Sequence, residues 1–431
     1  MKPDEQAEKL NRVIQSANPA VYEMLSKRGK AIFFPKLGIL SQSAEAAGKE
    51  INATIGIALE DDATPMRLPC VERNITLPPA SAFTYAPSSG RADIRALWKE
   101  MLARKNPSLA GKPTSLPIVT QALTHGLSVC GYLFCDRGDR LIVPDLYWEN
   151  YDLLFGNACG CRLNRFTTFV KKRFNLAGLR KKMLAGRPGK KILCLNFPNN
   201  PSGYTPTGDE AENIASICLE AAEAGHRVVV LVDDSYFGLV FEAGVLQESI
   251  FTMLCGLHPN LLAVKIDGPT KEDYVWGFRV GFLTFGVCGG TPELYGALEA
   301  KTGGAIRGSI SNCSNLSQSL LVKAWSSPDY EREKRLKFET LKARYMKVKA
   351  ILAAHPEYRE HFEPLPFNSG YFMCIRMKKA DPESLRQKLL AEYSTGVILL
   401  SGVIRIAFSA TPMDKLEKLF DNLYCAAKGL A

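Results

Sequence analysis

Histidine is scarce in this sequence, with five in 431 residues, and only His355 and His361 stand near one another. The 12 cysteines are scattered singly apart from Cys159 and Cys161, and no CxxC pair or Cys/His set at zinc spacing occurs. A metal site would have to gather ligands from distant segments, so none is assigned, and reduced thiols in a cytoplasm are the expected state. No apolar run approaches the roughly 20 residues that cross a bilayer; the run at 228–232 is of strand length. The first ten residues carry Lys2, Asp4, Glu5, Glu8 and Lys9 with no apolar stretch behind them. That pattern is unlike a secretory leader, so neither export nor membrane insertion is expected.

What the chain does hold is globular material. Hydrophobic residues make up 46% of it and charged residues 23%, and its 25 Pro and 34 Gly show no repeat or low-complexity linker. Neither a fibrous nor a disordered chain fits. The length implies roughly two or three domains. The net charge of +10 has a local origin: between 162 and 191 stand eleven Lys and Arg and no acid, and without them the charge falls to −1. One reading of this patch is a surface for an anionic partner such as nucleic acid. The reading adopted is a solvated helix face and loop, because no nucleic-acid recognition motif accompanies the charge.

Short β-rich runs alternate with longer helical stretches. Strands are expected at 117–120, 140–143, 191–195, 227–232, 261–266 and 279–285, with helices between them such as 126–134 and 208–224. This rhythm predicts an α/β domain with a mostly parallel sheet and helices on its faces. After about Ser326 the character changes. A charged helix over 331–354 precedes short strands at 370–376 and 403–408, which predicts a smaller α+β domain. The expected division is an N-terminal segment 1–65 packing on the smaller domain or on a partner subunit, a large domain 66–330, and a small domain 331–431.

In an open α/β sheet, ligands bind at the carboxyl ends of the strands. The residues found there are Asn200 in Asn196-Phe197-Pro198-Asn199-Asn200-Pro201, then Asp233 and Tyr236 in Asp233-Asp234-Ser235-Tyr236, then Lys271 in Asp267-Gly268-Pro269-Thr270-Lys271. Arg279 follows eight residues later. A lysine, a carboxylate, a phenol, an amide and an arginine at strand ends suit pyridoxal phosphate. The amine forms an imine with the aldehyde, and a carboxylate keeps the pyridine nitrogen protonated so that the ring accepts electrons. The arginine grips the phosphate through paired hydrogen bonds, and amide and phenol donors stabilise the ring phenolate.

In this order and spacing the motifs resemble the class I/II aminotransferases of the fold type I pyridoxal-phosphate enzymes, over nearly the whole chain. The resemblance implies Lys271 as the Schiff-base lysine, Asp233 at the pyridine nitrogen, Tyr236 and Asn200 at the ring hydroxyl, and Arg279 at the phosphate. The Asn200-Pro201 bond is a candidate cis peptide by the same likeness. The stretch from Val119 to Leu127 runs from a strand into a helix whose free N–H groups suit a phosphate, which brings in Leu123 and Thr124. Relatives usually have Gly then Ser or Thr where this chain has Ala122 and Leu123, so Thr124 stands in for the missing hydroxyl. Thr270 joins the cofactor set, and Trp148 is preferred over Tyr147 as the aromatic on the ring.

For the substrate, the resemblance implies Arg405 as the cation for the α-carboxylate, with Gly56 beside it and Asn200 shared. It implies a homodimer with shared active sites, in which Tyr85 reaches the neighbour's phosphate and Arg307 selects acidic side chains. The expected activity is transfer of an amino group from an L-amino acid to a 2-oxo acid by a ping-pong mechanism. A C–S lyase of the same fold is the alternative, and a nucleic-acid-binding protein using 162–191 the remote one.

Each residue also has a plainer reading. Lys265 competes with Lys271, but it sits mid-strand and lacks the Gly-Pro-Thr lead-in. Asp233 and Asp234 could suggest a glycosidase carboxylate pair, yet neighbours on a strand face opposite ways. Residues 302–308 also read as a flexible loop, with no Gly-Lys-Ser/Thr to make it a nucleotide loop. Trp148 and Tyr85 can be packed aromatics, His125 a helix-surface residue, and Cys159 and Cys161 inert.

Overall fold

Strands form where the apolar runs lie. The computed structural model describes residues 4–35 and 38–430; Lys2 and the parts of the 1–65 segment at 1–3 and 36–37 fall outside them. Seven strands build one sheet: β1 (Ile118–Thr120), β2 (Arg140–Pro144), β3 (Arg162–Phe166), β4 (Lys190–Asn196), β5 (Arg227–Asp233), β6 (Leu261–Asp267) and β7 (Gly281–Val287). Their order is β1-β7-β6-β5-β4-β2-β3. All neighbours are parallel except β7, which runs antiparallel to β1 and β6.

The central strands read as continuous apolar runs because both faces are covered. Val230 and Val232 face helix Gly208–Glu223, with Ala211, Ile214 and Cys218. Leu231 points the other way, into the layer of helix α1 (Ala122–Phe134), with Leu123, Leu127 and Cys130. This period-2 alternation also separates Asp233 from Asp234.

A second sheet has strands β8 (Phe362–Pro364), β9 (Phe372–Met377), β10 (Ile398–Leu400) and β11 (Val403–Ala407), antiparallel in the order β8-β9-β11-β10. Helix Tyr330–Ala354 covers it, burying Leu341, Tyr345, Val348 and Ile351 in one core with Ile375, Ile404 and Ile406. Residues near the N-terminus lie on this unit. Ile51–Asn52 pairs in parallel with Thr395–Gly396, the Leu59 amide donates to the Ser409 carbonyl at 3.1 Å, and Arg344 donates to the Leu59 carbonyl at 2.7 Å.

Three local expectations change. Strand β3 lies inside the basic segment and lacks an apolar run, because as an edge strand it alternates polar and apolar residues. The strand expected over 279–285 begins at Gly281; Arg279 stands outside it in left-handed backbone, φ 54°. Residues 302–308 are helical, within Pro292–Ser309. Burial of Tyr295, Thr302 and Ile306 along one face outweighs the cost of about 1 kcal/mol for each interior glycine.

Among the described residues no helix is long and apolar enough to cross a membrane, and no group of three or more His, Cys, Asp or Glu is placed to hold a metal ion.

Candidate active site

The carboxyl ends of β4, β5 and β6 stop side by side, at Asn196, Asp233 and Asp267. The loops leaving them wall a cavity of about 220 Å³. Every residue expected at the site lines it except Tyr85 and Arg307: Gly56, Leu123, Thr124, Trp148, Asn200, Asp233, Tyr236, Thr270, Lys271, Arg279 and Arg405.

Asp233 is 2% exposed. Its Oδ2 accepts from the Tyr151 hydroxyl, and its Oδ1 from the Ser235 amide at 3.2 Å and the Ser235 hydroxyl. All of these partners are neutral, so the carboxylate's charge is left for something in the cavity. Lys271 shares the cavity with it, and its Nζ is 5.2 Å from the centre of the Tyr236 ring. Burial drives the Lys271 amine down to about 8, with Asp233 opposing and Arg279 assisting. A lysine so placed is partly neutral near physiological pH and can act as a nucleophile or base. The Tyr371 hydroxyl fixes its backbone, donating to the Lys271 carbonyl at 2.7 Å.

At the other end of the cavity, α1 opens with Ala122 in left-handed backbone, φ 60°, a conformation that costs an L-residue of this kind roughly 1–2 kcal/mol. Gly281 makes the approach possible. A β-carbon there would stand 2.8 Å from the Ala122 carbonyl carbon and 3.0 Å from the Leu123 nitrogen. The first N–H groups of α1 are thus set beside Thr270 and Arg279, a combination suited to a phosphate. Arg279 has no acidic partner among the described residues; its Nη1 donates to the Trp276 carbonyl at 3.2 Å.

Arg405 comes from β11 of the second sheet and is 2% exposed. Nη1 donates to Asn200 Oδ1 at 3.2 Å and Nη2 to the Thr54 carbonyl at 3.1 Å, while Nε has no hydrogen-bond partner among the described residues. Its guanidinium lies 4.2 Å from the centre of the Phe372 ring. Burial lowers its pKa, and no carboxylate lies within ion-pair distance among the described residues. A buried cation without a counter-ion fits a site for an anion.

Tyr85 is 90% exposed and Arg307 is exposed, donating to Ser311 Oγ at 2.7 Å; neither reaches the cavity of its own chain. The peptides Phe197-Pro198 and Asn200-Pro201 are cis. Asn196 ties this loop to β5, donating from Nδ2 to the Asp233 carbonyl at 2.8 Å and accepting from the Asn200 amide at 2.8 Å. Sequence reasoning passed over Tyr151, Asn196, Ser235, Trp276 and Phe372. Tyr151, Asn196, Ser235 and Trp276 sit inside or beside the motifs around Trp148, Asn200, Asp233 and Arg279, which is the available signal; nothing marks Phe372.

The competing residues are committed elsewhere. Lys265 is fully buried and paired with Asp234 and with Asp267, the latter at 3.2 Å. Burial pushes its pKa down, but the two carboxylates raise it further. Asp234 also accepts from Ser249 Oγ at 2.5 Å, facing away from the cavity. In the basic segment, Arg165, Lys172, Arg173, Arg180 and Lys190 are ion-paired. His125 accepts from the Gln121 amide at 3.1 Å. A larger groove of about 400 Å³ lies away from this chemistry, where Glu242 pairs with Lys349 at 3.0 Å and Lys172 with Glu363 at 2.9 Å.

Known proteins are similar to this chain in sequence and in fold. The sequence model of the family described as Aminotransferase class I and II matches residues 57–423. An aspartate aminotransferase of Bacillus sp. (strain YM-2) is 25% identical over 353 residues, 79% of this chain and 82% of that protein. An aminotransferase of Anaerococcus prevotii superposes with a TM-score of 0.82 at 23% identity, over 94% of this chain and 99% of that one. The aspartate aminotransferase of Thermus thermophilus with maleate gives 0.71 at 18% identity, over 93% and 99%. These two structures establish the likeness of fold.

Proposed function

The chain belongs to the class I and II aminotransferases and is a pyridoxal-phosphate-dependent transaminase; from that premise we propose that its cavity works through Lys271 on an acidic L-amino acid and a 2-oxo acid. The observation that carries the reading is the convergence of Lys271, Asp233 and Arg405 on one cavity. A base with a depressed pKa, a buried carboxylate with only neutral partners and a buried arginine without a counter-ion are each incomplete without a ligand.

These residues fit the cofactor. When bound, it supplies an aldehyde that takes up an amine and a ring that draws electrons from the substrate's α-carbon. Asp233 would hold the ring nitrogen protonated, Asn200 and Tyr236 would hydrogen-bond the ring hydroxyl, and Trp148 would pack against the ring. Arg279, Thr270, Thr124 and the Leu123 amide hold the phosphate, completed by Tyr85 of the partner subunit. Arg405 and Gly56 bind the α-carboxylate. Lys271 Nζ would act as the base that takes the proton from the substrate's α-carbon. The same residues serve both half-reactions, which gives ping-pong kinetics.

Acidic donors enter the reading through Arg307 of the partner subunit and through relatives that are aspartate aminotransferases. The proposed homodimer would bring Tyr85 and Arg307, both exposed in the single chain, to the neighbour's cavity. The division into 66–330 and 331–431, with 1–65 on the latter, suits a cavity walled from both sheets. A reducing cytoplasm suits 12 free cysteines.

The test is borohydride reduction of the holoprotein followed by peptide mapping, with a donor screen against 2-oxoglutarate. The cofactor fixed on Lys271, and acceptor-dependent turnover, are expected. Label on another lysine would sink the assignment. Pyruvate and ammonia from cysteine-like donors without acceptor would replace transamination by C–S lysis. Arg307→Ala should lose acidic donors selectively; an unchanged preference would remove the acidic-substrate reading.

A further inference from the structure

The two residues that follow Lys271 are acidic and buried, Glu272 being 5% exposed and Asp273 1%. Glu272 accepts from Lys105 Nζ at 2.7 Å and from Lys334 Nζ at 2.5 Å. Asp273 Oδ1 accepts from Lys334 Nζ at 2.8 Å and from the Tyr330 hydroxyl at 2.9 Å, and its Oδ2 from Trp325 Nε1 at 2.9 Å. These partners come from three helices, Ala92–Lys105, Asn315–Trp325 and Tyr330–Ala354. Burial alone would raise the Glu272 carboxyl, yet Lys105 and Lys334 bring it well below its usual range. None of these six side chains lines the cavity, and nothing in the transaminase reading uses them.

Two carboxylates and two ammonium groups thus balance in one cluster. Such a cluster is a poor source of stability, because desolvation takes back most of what the attraction returns and apolar side chains of similar size serve as well. What it does impose is a single arrangement of the groups it joins. Here these include the loop that carries Lys271. The Asp273 amide donates to the Pro269 carbonyl at 2.9 Å and the Val275 amide to the Thr270 carbonyl at 3.2 Å, closing a turn around Lys271. Lys334, on the far side of the cluster, belongs to the helix that covers the sheet bearing Arg405.

We propose that Glu272 and Asp273, gripped by Lys105 and Lys334, are positioning residues that fix the backbone of Lys271 relative to Arg405. The inference rests on Lys271 as the base and Arg405 as the α-carboxylate site. Once a donor's carboxylate is on Arg405, its α-carbon has one place, and proton transfer needs the Lys271 amine within near-attack distance of it. A lysine side chain is flexible, so precision has to come from the backbone that bears it. A displacement of about 1 Å can cost about 100-fold in rate. Donor binding depends on Arg405 and not on this loop, so loosening the cluster should lower the rate and spare the affinity.

The holoprotein is first reduced with borohydride and mapped. Unreduced, it is then compared with the double variant Asp273→Asn/Lys334→Met, which removes one charge of each sign and leaves Glu272 paired with Lys105. The first half-reaction is followed in single turnovers at rising donor concentration, with the visible circular dichroism of the bound coenzyme as a second readout. The variant should melt within a few degrees of wild type and bind donor with unchanged affinity, while the limiting rate falls at least about tenfold and the dichroism weakens. Lys334→Arg, which keeps the charge, should retain most of the rate. Arg386→Met is the control for lost stability. Arg386 is buried and paired with Glu45 at 2.8 Å and Glu383 at 2.7 Å, so its loss should lower the melting temperature and leave the limiting rate in place. Wild-type rate and dichroism in the double variant, a loss confined to donor affinity, or an equal fall in rate for Arg386→Met would each overturn the proposal. If the double variant does not fold, Tyr330→Phe decides by the same two readouts, since it deletes one hydroxyl that lies 2.9 Å from Asp273 Oδ1 and 3.1 Å from Lys334 Nζ. A borohydride label on a lysine other than Lys271 would sink the underlying reading, and the proposal with it.

Discussion

The Tyr151 hydroxyl donates to Oδ2 of Asp233, and the two side chains are 1% and 2% exposed. Together with Ser235 on Oδ1, this fixes the plane of the carboxylate that faces the cavity. A hydrogen bond to a buried charge contributes about 1.5–3 kcal/mol, and removing the donor exposes that full dependence. Tyr151→Phe should therefore unfold at lower denaturant, by an amount in that range, with an unchanged slope. An unchanged midpoint would mean that Ser235 alone positions Asp233.

Lys265 and Lys271 stand six residues apart and should fail in opposite ways when mutated. Lys265→Met strands Asp234 and Asp267 in the core without their cation, a loss expected to cost about 3–5 kcal/mol. Lys271→Met removes an amine whose charged form is disfavoured by burial, so the fold should persist while turnover disappears. Thermal unfolding and activity measured on both proteins separate the two roles. A stable Lys265→Met protein would show that the buried pair is dispensable.

The depressed Lys271 amine also sets a pH dependence for the apoprotein. Its folded value of about 8 lies below the ordinary 10.5, so between those limits the unfolded chain holds a proton that the folded chain has shed. Stability attributable to this group is then lowest below about pH 8, rises through the window and is complete above about 10.5, by up to about 3 kcal/mol. The measurement is the difference in unfolding free energy between wild type and Lys271→Met across that range. A flat difference would show that the amine titrates normally.

Lys271 was readable in the sequence because Gly-Pro-Thr precedes it and Arg279 follows after eight residues, and Asp233 because an apolar strand run ends on it. Both signals are local. What stayed hidden depends on direction. Among Tyr147, Trp148 and Tyr151, nothing in the residue types says which ring turns to Asp233; only the folded structure shows that it is Tyr151. The left-handed backbone at Ala122 goes with the close approach of Gly281 to the start of α1, a tertiary fact. Strand β3 escaped notice because an edge strand needs no apolar run.

Arg405 sets binding against stability. Among the described residues its guanidinium is buried with two neutral hydrogen-bond acceptors, an unpartnered Nε and no counter-ion, so it bears a desolvation cost that a bound carboxylate offsets. Arg405→Met removes the charge and keeps much of the contact with Phe372. Replacing an uncompensated buried ion by an apolar side chain of similar reach is neutral or stabilising by roughly 1–4 kcal/mol, so the variant should melt no lower than wild type. Its affinity for amino acid and 2-oxo acid should meanwhile fall about 100-fold, the equivalent of a charge-assisted pair of hydrogen bonds, with cofactor retention unchanged. Differential scanning calorimetry and half-reaction titrations read the two quantities separately. A variant that melts lower yet binds donors normally would make Arg405 a structural residue and leave the α-carboxylate to another cation.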